Sequence, residues 1–301
     1  MISESIRLGF SAESANGQPQ TISESLDLLE ARDVDTVEVP LLWMELVLNG
    51  QVMPERLAAL KAALKDRPFQ WTAHAAIGLN FTCDPAYLPL HMALARAHLQ
   101  IAGEIGAEHM VLHTGSFATG SASAQMARLY DQQRESLLTL AAEARECGVI
   151  LCVENIFSEK GNRITASPSQ LAAELRLMDH PNLVACLDVS HAALQCDAMG
   201  LDFEAEVAAL IPLAKHVHLH DSFGRSGTIP VHTRFEAMGF GTGDLHLPLG
   251  WGNLPFDRLL SLGEFPAATI FNVELNKHLW HGLDVTVAEG RRLARLARVA
   301  G

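Results

Sequence analysis

The sequence has few basic residues, few tyrosines and no long apolar run. The shortage of basic residues argues against a nucleic-acid-binding protein, and the shortage of apolar runs argues against a membrane-spanning one. Only 22 lysines and arginines face 35 aspartates and glutamates, which gives a net charge of −13. This balance argues against broad nucleic-acid binding, which requires a basic surface. No apolar run approaches the roughly 18 residues of a membrane-spanning helix. Residues 1–5 lack the basic and apolar parts of a signal peptide, so we expect a cytoplasmic protein without a membrane partner.

Cysteine is also scarce, with five residues, no CxxC pair and an odd total. This pattern excludes a disulfide framework, and Cys152 and Cys186 lie inside apolar runs where we expect them to pack as small hydrophobic residues. Apolar residues, by contrast, make up 49 % of the 301 positions. A chain of this length buries about three quarters of its unfolded surface and needs no cross-links.

Short apolar runs alternate with longer amphipathic runs from one end of the chain to the other. The apolar runs predict strands at 6–11, 36–40, 69–74, 109–113, 149–154, 183–188, 216–220 and 268–274. The amphipathic runs predict helices at 22–32, 54–66, 88–105, 123–147, 168–178, 203–210, 256–262 and 285–299, and Thr21 and Glu24 are placed to form a capping box for the first. Eight strand–helix pairs without a linker predict one α/β domain over 1–301, a single (β/α)₈ TIM barrel.

Six consecutive predicted strands end, within a residue or two, on a side chain that can bind a metal. These are His74, His113, Glu154, Asp188, His218 and Glu274. In a parallel barrel the carboxyl ends of the strands meet at one face, where reactive groups lie. His191 follows Asp188 in the next turn, and Asp244 and His246 stand two apart in a glycine-rich loop.

Each of these residues has a structural alternative, because a lone histidine is often a hydrogen-bonded loop residue. A carboxylate that ends an apolar strand, however, is costly unless it is paired or bound to a cation. Together the nine residues predict a metal centre. Mixed carboxylate and imidazole ligands suit Zn²⁺, Mn²⁺, Fe²⁺ or Co²⁺, and nine are too many for one ion. We therefore expect two or three divalent ions, with zinc favoured.

The remaining polar residues carry weaker predictions. Arg225, Asn155 and Lys277 are candidates for binding substrate, and Glu38 could also touch it. His216 and His220 are predicted to pack near His218. The other histidines are predicted at the surface, in loops or at helix ends: His91, His98, His109, His180, His232, His278 and His281. Trp43 and the apolar residues beside it could line a pocket or a subunit interface, so an oligomer stays possible.

The motifs resemble the xylose isomerase-like TIM-barrel superfamily, which unites sugar isomerases and epimerases with endonuclease IV. The likeness covers essentially the whole chain. Its motifs are His74, Leu112-His113-Thr114-Gly115-Ser116, Val153-Glu154-Asn155, Leu187-Asp188-Val189-Ser190-His191-Ala192, His218-Leu219-His220-Asp221-Ser222, Asp244-Leu245-His246 and Glu274. In the nuclease branch the nine matching positions hold three zinc ions, so the resemblance implies a dinuclear or trinuclear centre. In the isomerase and epimerase branch, Glu154, Asp188, His218 and Glu274 would suffice for one metal.

The departures from the nuclease pattern bear on the substrate. The loop after His74 reads Ala75-Ala76-Ile77-Gly78 without the expected tyrosine, Thr114 replaces a proline, and the basic loops that grip a duplex are missing. We therefore expect a small-molecule substrate and no nucleic acid. The first hypothesis is a metal-dependent hydrolase of a small anionic compound, with Glu154 bridging ions or acting as base. The alternative is a mononuclear isomerase or epimerase of a keto-sugar or cyclitol, in which Glu154 and Glu274 move a proton.

Overall fold

Eight parallel strands close into a barrel in the computed structural model, which describes residues 6–159, 161–227 and 229–300. They are β1 Arg7–Ser11, β2 Thr36–Pro40, β3 Gln70–His74, β4 Ala107–His113, β5 Ile150–Glu154, β6 Leu183–Asp188, β7 Ala214–Leu219 and β8 Ile270–Val273. Each strand pairs with its neighbour in the chain, and β8 closes on β1. The prediction of a (β/α)₈ barrel is confirmed.

Helices surround the barrel. They are α1 Ser23–Glu30, α2 Pro54–Leu64, α3 Leu88–Glu104, α4 Ser123–Cys147, α5 Pro168–Met178, α6 Val189–Met199, α7 Phe203–Leu210, α8 Arg234–Phe240, α9 Phe256–Leu259 and α10 Leu283–Leu296. The sequence patterns did not predict α6 or α8. The α6 helix begins directly after β6, because the Asp188 carboxylate accepts a hydrogen bond from the His191 N–H at 2.7 Å and caps the first turn.

The predicted cap of the first helix was wrong. A 3₁₀ turn, Pro19–Ile22, precedes α1, and the Thr21 hydroxyl donates to the Gln18 carbonyl at 2.8 Å within that turn. The α1 helix therefore starts at Ser23 without a side-chain cap. Hydrogen bonding of a threonine within its own turn competes with helix capping. The Thr21 hydroxyl makes the turn hydrogen bond and does not cap α1.

The main apolar core lies between the barrel and the helices, and a small second cluster of Val111, Cys152 and Cys186 lies inside the barrel. All five cysteines are free. No helix in the described part of the chain is long and apolar enough to cross a membrane.

The loop after β7 is held in place by one buried carboxylate. Asp221 Oδ2 accepts hydrogen bonds from the backbone N–H groups of Gly250 and Gly252, both at 2.9 Å, and Asp221 Oδ1 accepts from Leu254 at 3.3 Å. A Cβ at position 252 would lie 2.2 Å from the Ser222 carbonyl oxygen, so only glycine fits there. Asp221 thus shapes the segment that follows the Asp244–His246 loop and is not itself a ligand in this arrangement.

Candidate metal centre

The structure places all nine predicted ligands at the carboxyl end of the barrel, within one continuous network of contacts. We divide them into a central group and two flanking groups that touch it. The central group is Glu154, Asp188, His218 and Glu274, the first flanking group is His74, His113 and Glu154, and the second flanking group is His191, His220, Asp244 and His246.

In the central group three carboxylates surround one imidazole nitrogen. His218 Nδ1 lies 3.3 Å from Glu154 Oε1, 3.6 Å from Glu274 Oε2 and 3.9 Å from Asp188 Oδ2. Glu154 and Asp188 are almost fully buried. Burial alone would raise the pKa of Glu154, but His218 and His113 hold it well below its usual value, so the carboxylate is charged.

The donor set fits a divalent cation. His218 Nδ1 is fully buried and has no hydrogen-bond partner among the described residues, although three carboxylates lie within 3.9 Å of it. Carboxylates gathered around one buried atom repel one another unless a cation lies between them. Oxygen and imidazole donors in this proportion suit Mn²⁺, Co²⁺, Fe²⁺ or Zn²⁺. The residues of the central group would hold one such ion.

The first flanking group shares Glu154 with the central group. Glu154 Oε2 lies 3.2 Å from His74 Nε2 and 3.3 Å from His113 Nε2. His74 Nδ1 lies 2.8 Å from the Ala75 carbonyl oxygen, to which it can only donate. Its Nε2 is then the nitrogen available as a ligand when the ring is neutral. This geometry places Glu154 where it could bridge two ions.

The second flanking group is built on Asp244. Its Oδ2 lies 3.1 Å from His246 Nε2 and 3.4 Å from His191 Nε2, and a fourth side chain, His220, stacks on His246 with ring centroids 3.8 Å apart. His246 has φ +48°, a left-handed conformation that non-glycine residues adopt sparingly. The strain is localised at a residue that faces the site, which is typical of functional positions.

His220 was predicted to pack near His218, and the structure adds contacts with two of the candidate ligands. It is fully buried, its Nε2 is hydrogen-bonded with Asp188 Oδ2 at 3.0 Å, and its Nδ1 lies 3.9 Å from Asp244 Oδ1. His220 therefore joins the central group to the second flanking group. The period-of-two spacing from His218 was the available signal, since it puts both rings on the same face of the strand.

Two histidines predicted at the surface, in loops or at helix ends are buried instead. His98 is 3 % exposed, and its Nδ1 accepts from the Ala76 N–H at 3.1 Å, just beyond β3. His109 is also 3 % exposed and lies inside the barrel, because β4 begins two residues earlier than predicted. Burial is the main reason that the pKa of His98 falls to about 4, so this ring is neutral.

The three predicted substrate-binding residues fall in different environments. Asn155 is fully buried, donates to the Asp188 carbonyl at 2.9 Å and accepts from the Asp188 N–H at 2.9 Å, so it positions Asp188 and does not face a substrate. Lys277 lines the cavity above the metal centre. Arg225 is exposed and lies outside the lining of that cavity. Two arginines that the sequence did not favour, Arg163 and Arg234, line it.

The cavity above the centre has a volume of about 770 Å³, which accommodates a small molecule. Its apolar wall includes Leu42, Trp43, Ile77, Phe157 and Leu275, and the Trp43 ring is 58 % exposed towards solvent. Among the described residues the lining has more carboxylates than basic side chains: Glu13, Glu38, Glu154, Asp244 and Glu274 against Arg163, Arg234 and Lys277. Four of these five carboxylates belong to the metal centre or contact His218, so their excess does not indicate the charge of the substrate.

The metal-free site carries protons in place of cations. Burial would lower the pKa of His74 and His246, but contact with Glu154 and with Asp244, respectively, raises each to about 9. Because both values exceed the ordinary 6.5, the stability that these protons contribute is complete below pH 6.5 and is lost as the pH rises to about 9. We expect the melting temperature of chelator-treated protein to fall across this range.

Thermal melts of metal-free protein between pH 6.5 and 9 check this expectation. The melting temperature of the His74→Asn variant should fall less steeply with pH, because this variant lacks the proton that His74 carries. A melting temperature that stays flat or rises over the range would contradict the protonation that we assign to the site.

The chain matches one family of known barrels over most of its length. A family model described as xylose isomerase-like TIM barrel matches residues 26–293. No curated protein sequence matches the chain significantly.

Three solved structures illustrate how closely this fold matches known barrels. A D-tagatose 3-epimerase-like protein has a TM-score of 0.68 at 18 % identity, with 96 % of this chain and 98 % of that chain covered. The D-allulose 3-epimerase from Methylomonas sp. in complex with D-allulose has a TM-score of 0.63 at 15 % identity, covering 98 % and 95 %. The TTHB071 protein from Thermus thermophilus, from a crystal soaked with ZnCl₂, has a TM-score of 0.64 at 22 % identity, covering 98 % and 100 %.

Proposed function

The chain belongs to the xylose isomerase-like TIM-barrel family, and from this membership and the geometry of its site we propose that it is a divalent-metal-dependent epimerase or isomerase of a keto-sugar or cyclitol. The observation that carries the proposal is the central group, in which Glu154 and Glu274 approach the same nitrogen of His218 from different strands, at the floor of the cavity. The sugar epimerases among the structural neighbours support this choice over hydrolysis, the first hypothesis from the sequence.

Epimerisation next to a carbonyl requires that a proton leave one face of a carbon and return to the other. A divalent cation held by the central group would supply Lewis-acid polarisation of the substrate carbonyl. Glu154 and Glu274 then act as the proton-transfer pair, one carboxylate removing the proton and the other returning it. Glu274 is the more accessible of the two, with 15 % of its side chain exposed against 1 % for Glu154.

The apolar wall and the polar floor of the cavity would contact different parts of a bound sugar. Trp43 and Phe157 offer ring faces on which the apolar face of a sugar can stack. Lys277 lines the cavity, where its ammonium group could donate hydrogen bonds to hydroxyl oxygens.

Proton exchange in D₂O tests the proposal directly. The protein is loaded with Mn²⁺ or Co²⁺ and incubated with D-allulose, D-tagatose, D-fructose and ketones of cyclitols, and proton NMR follows loss of the signal at the carbon beside the carbonyl. We expect exchange with at least one ketose and none after chelation. Hydrolysis of a phosphoester or amide without any exchange would refute the proposal.

A metal-dependent hydrolase is the second candidate, and one observation favours it. A mononuclear epimerase has no need of the second flanking group. That group nevertheless places one possible ligand atom from each of its four residues within 4.8 Å of the others. Further ions bound there and at His74 and His113 would make a multinuclear centre of the kind that activates water.

Metal stoichiometry separates the two candidates through Asp244. If the second flanking group holds an ion, the Asp244→Ala variant should lose about one equivalent of metal per chain while the ion of the central group remains. Mass spectrometry of the protein purified without chelator measures this, with Asp197→Ala as a matched control, because Asp197 bonds Ser226 outside the cavity. Equal metal content in wild type and the Asp244→Ala variant would exclude an ion in the second flanking group and would favour the mononuclear epimerase.

A further inference from the structure

Glu38 is a buried carboxylate for which neither the proposed reaction nor the metal ligands account. It lies on β2, in register with Ser11 on β1 and Thr72 on β3, and only 1 % of its surface is exposed. The sequence suggested that it could touch substrate. The structure instead places it at the floor of the cavity, directly behind a ligand of the central group.

Four polar groups surround the Glu38 carboxylate. Its Oε2 lies 3.3 Å from His218 Nε2, in hydrogen-bonding geometry, and 3.2 Å from His216 Nε2. Its Oε1 accepts from the Ser11 hydroxyl at 2.9 Å and from the Asn272 amide at 3.3 Å. Each oxygen therefore faces groups that can donate, which is the environment of a carboxylate without a proton.

The charge on Glu38 determines which nitrogen of His218 carries hydrogen. A carboxylate without a proton can only accept, so the nitrogen that faces it, Nε2, must be the N–H of the ring. The opposite nitrogen, Nδ1, is then left with a lone pair when the ring is neutral. That atom is the unpartnered nitrogen that faces Glu154, Asp188 and Glu274.

A second imidazole, that of His216, lies against the Glu38 carboxylate. His216 Nδ1 lies 3.2 Å from His109 Nδ1, and both rings are buried inside the barrel. His216 Nε2 lies 3.2 Å from Glu38 Oε2 but outside hydrogen-bonding geometry, so it adds an electrostatic contact to the hydrogen bonds of Glu38. Glu38 is thus contacted from three strands, by Ser11 on β1, His218 on β7 and Asn272 on β8.

We propose that Glu38 is a positioning residue of the metal centre, which holds His218 in the tautomer and orientation that expose Nδ1 as a ligand. The inference rests on the proposed function only in that the central group holds a cation, and it is independent of which sugar is bound. Acceptors behind a ligating histidine typically change metal affinity by about 10- to 100-fold when they are removed.

Metal binding to four proteins tests the proposal: wild type, Glu38→Ala, Glu38→Gln and Thr72→Val. Titration with Co²⁺ and its visible spectrum gives the affinity, and nitrogen-15 NMR of the Zn²⁺-loaded protein gives the tautomer of His218. Glu38→Ala should weaken Co²⁺ binding by about 10- to 100-fold. Glu38→Gln should lose much less, because its carbonyl oxygen can still accept from His218 while its amide donates to Ser11.

Thr72→Val is the matched control. Thr72 lies beside Glu38 on the next strand, and its buried hydroxyl has no hydrogen-bond partner, so removing it disturbs the same layer of the barrel without removing a polar contact. Its affinity and the His218 tautomer should equal those of wild type. If Glu38→Ala fails to fold, Ser11→Ala replaces it, since it removes one of the two groups that hold Glu38 Oε1, and it should weaken binding more than Thr72→Val does.

The outcomes separate this inference from the proposed function. Wild-type affinity in Glu38→Ala, or in Ser11→Ala where that variant replaces it, overturns the positioning role and leaves the epimerase proposal intact. Equal losses in Glu38→Gln and Glu38→Ala, with Nε2 of His218 still protonated in both, also overturn it. A wild-type protein that binds no divalent cation at all refutes the proposed function, and the inference with it.

Discussion

Replacing Glu154 by alanine is expected to remove tightly bound metal and to lower kcat/KM on the order of 10³-fold, the equivalent of several kcal/mol of lost electrostatic stabilisation. Glu154 contacts the central group and both flanking groups. Its oxygens lie 3.0 to 3.3 Å from nitrogens of four histidines: His74, His113, His191 and His218. Loss of this one carboxylate therefore removes the contacts of the central group with His74 and His113 and one of its contacts with His191.

Metal content by mass spectrometry and the D₂O exchange rate measure the effect. Glu108→Ala is the matched control, because Glu108 lies at the opposite end of β4 and pairs with Arg7 at 2.8 Å. It should keep both metal and activity. A Glu154→Ala protein with its full metal content and an unchanged exchange rate would show that the centre is organised around another residue.

Replacing Glu274 by glutamine is expected to lower kcat by about 10²- to 10⁴-fold, the usual contribution of a positioned acid–base group. The amide keeps the shape of the side chain and an oxygen that can bind metal, but it cannot take up a proton. Glu274 follows β8 directly and is fixed by its N–H, which donates to the Leu219 carbonyl at 3.1 Å. The substitution therefore leaves the side chain at the same place in the site.

The exchange reaction separates this effect from lost binding. We expect deuterium incorporation to fall in parallel with kcat while KM and metal content change little. Glu264→Gln, an exposed position before β8 and outside the cavity, should behave as wild type. Exchange at the wild-type rate in Glu274→Gln would assign the proton transfer to another group.

The fold and the ligand set could be predicted because both depend on short-range pattern. Alternation of apolar and amphipathic runs fixes strand and helix periods, and eight such pairs admit few architectures other than a barrel. The ligands follow, since the last residue of a parallel strand faces the same end of the barrel as the last residue of every other strand. His74, Glu154 and Asp188 are each the final residue of a strand, or within one residue of it, in both the prediction and the structure.

The residues behind the ligands could not be predicted, because their partners are distant in sequence. Glu38 and His218 are 180 positions apart, and only closure of the barrel brings them to 3.3 Å. His220 and Asn155 illustrate the same limit, since their contacts with Asp188 depend on the register of β5, β6 and β7.

The sequence by itself determined that this chain is a barrel with carboxylates and imidazoles gathered at one end. Only the tertiary structure decided which of them lie close together and which lie behind the others. The physical reason is that ligand chemistry belongs to single side chains, whereas the tautomer of His218 and the charge on Glu38 depend on neighbours that the sequence keeps far apart.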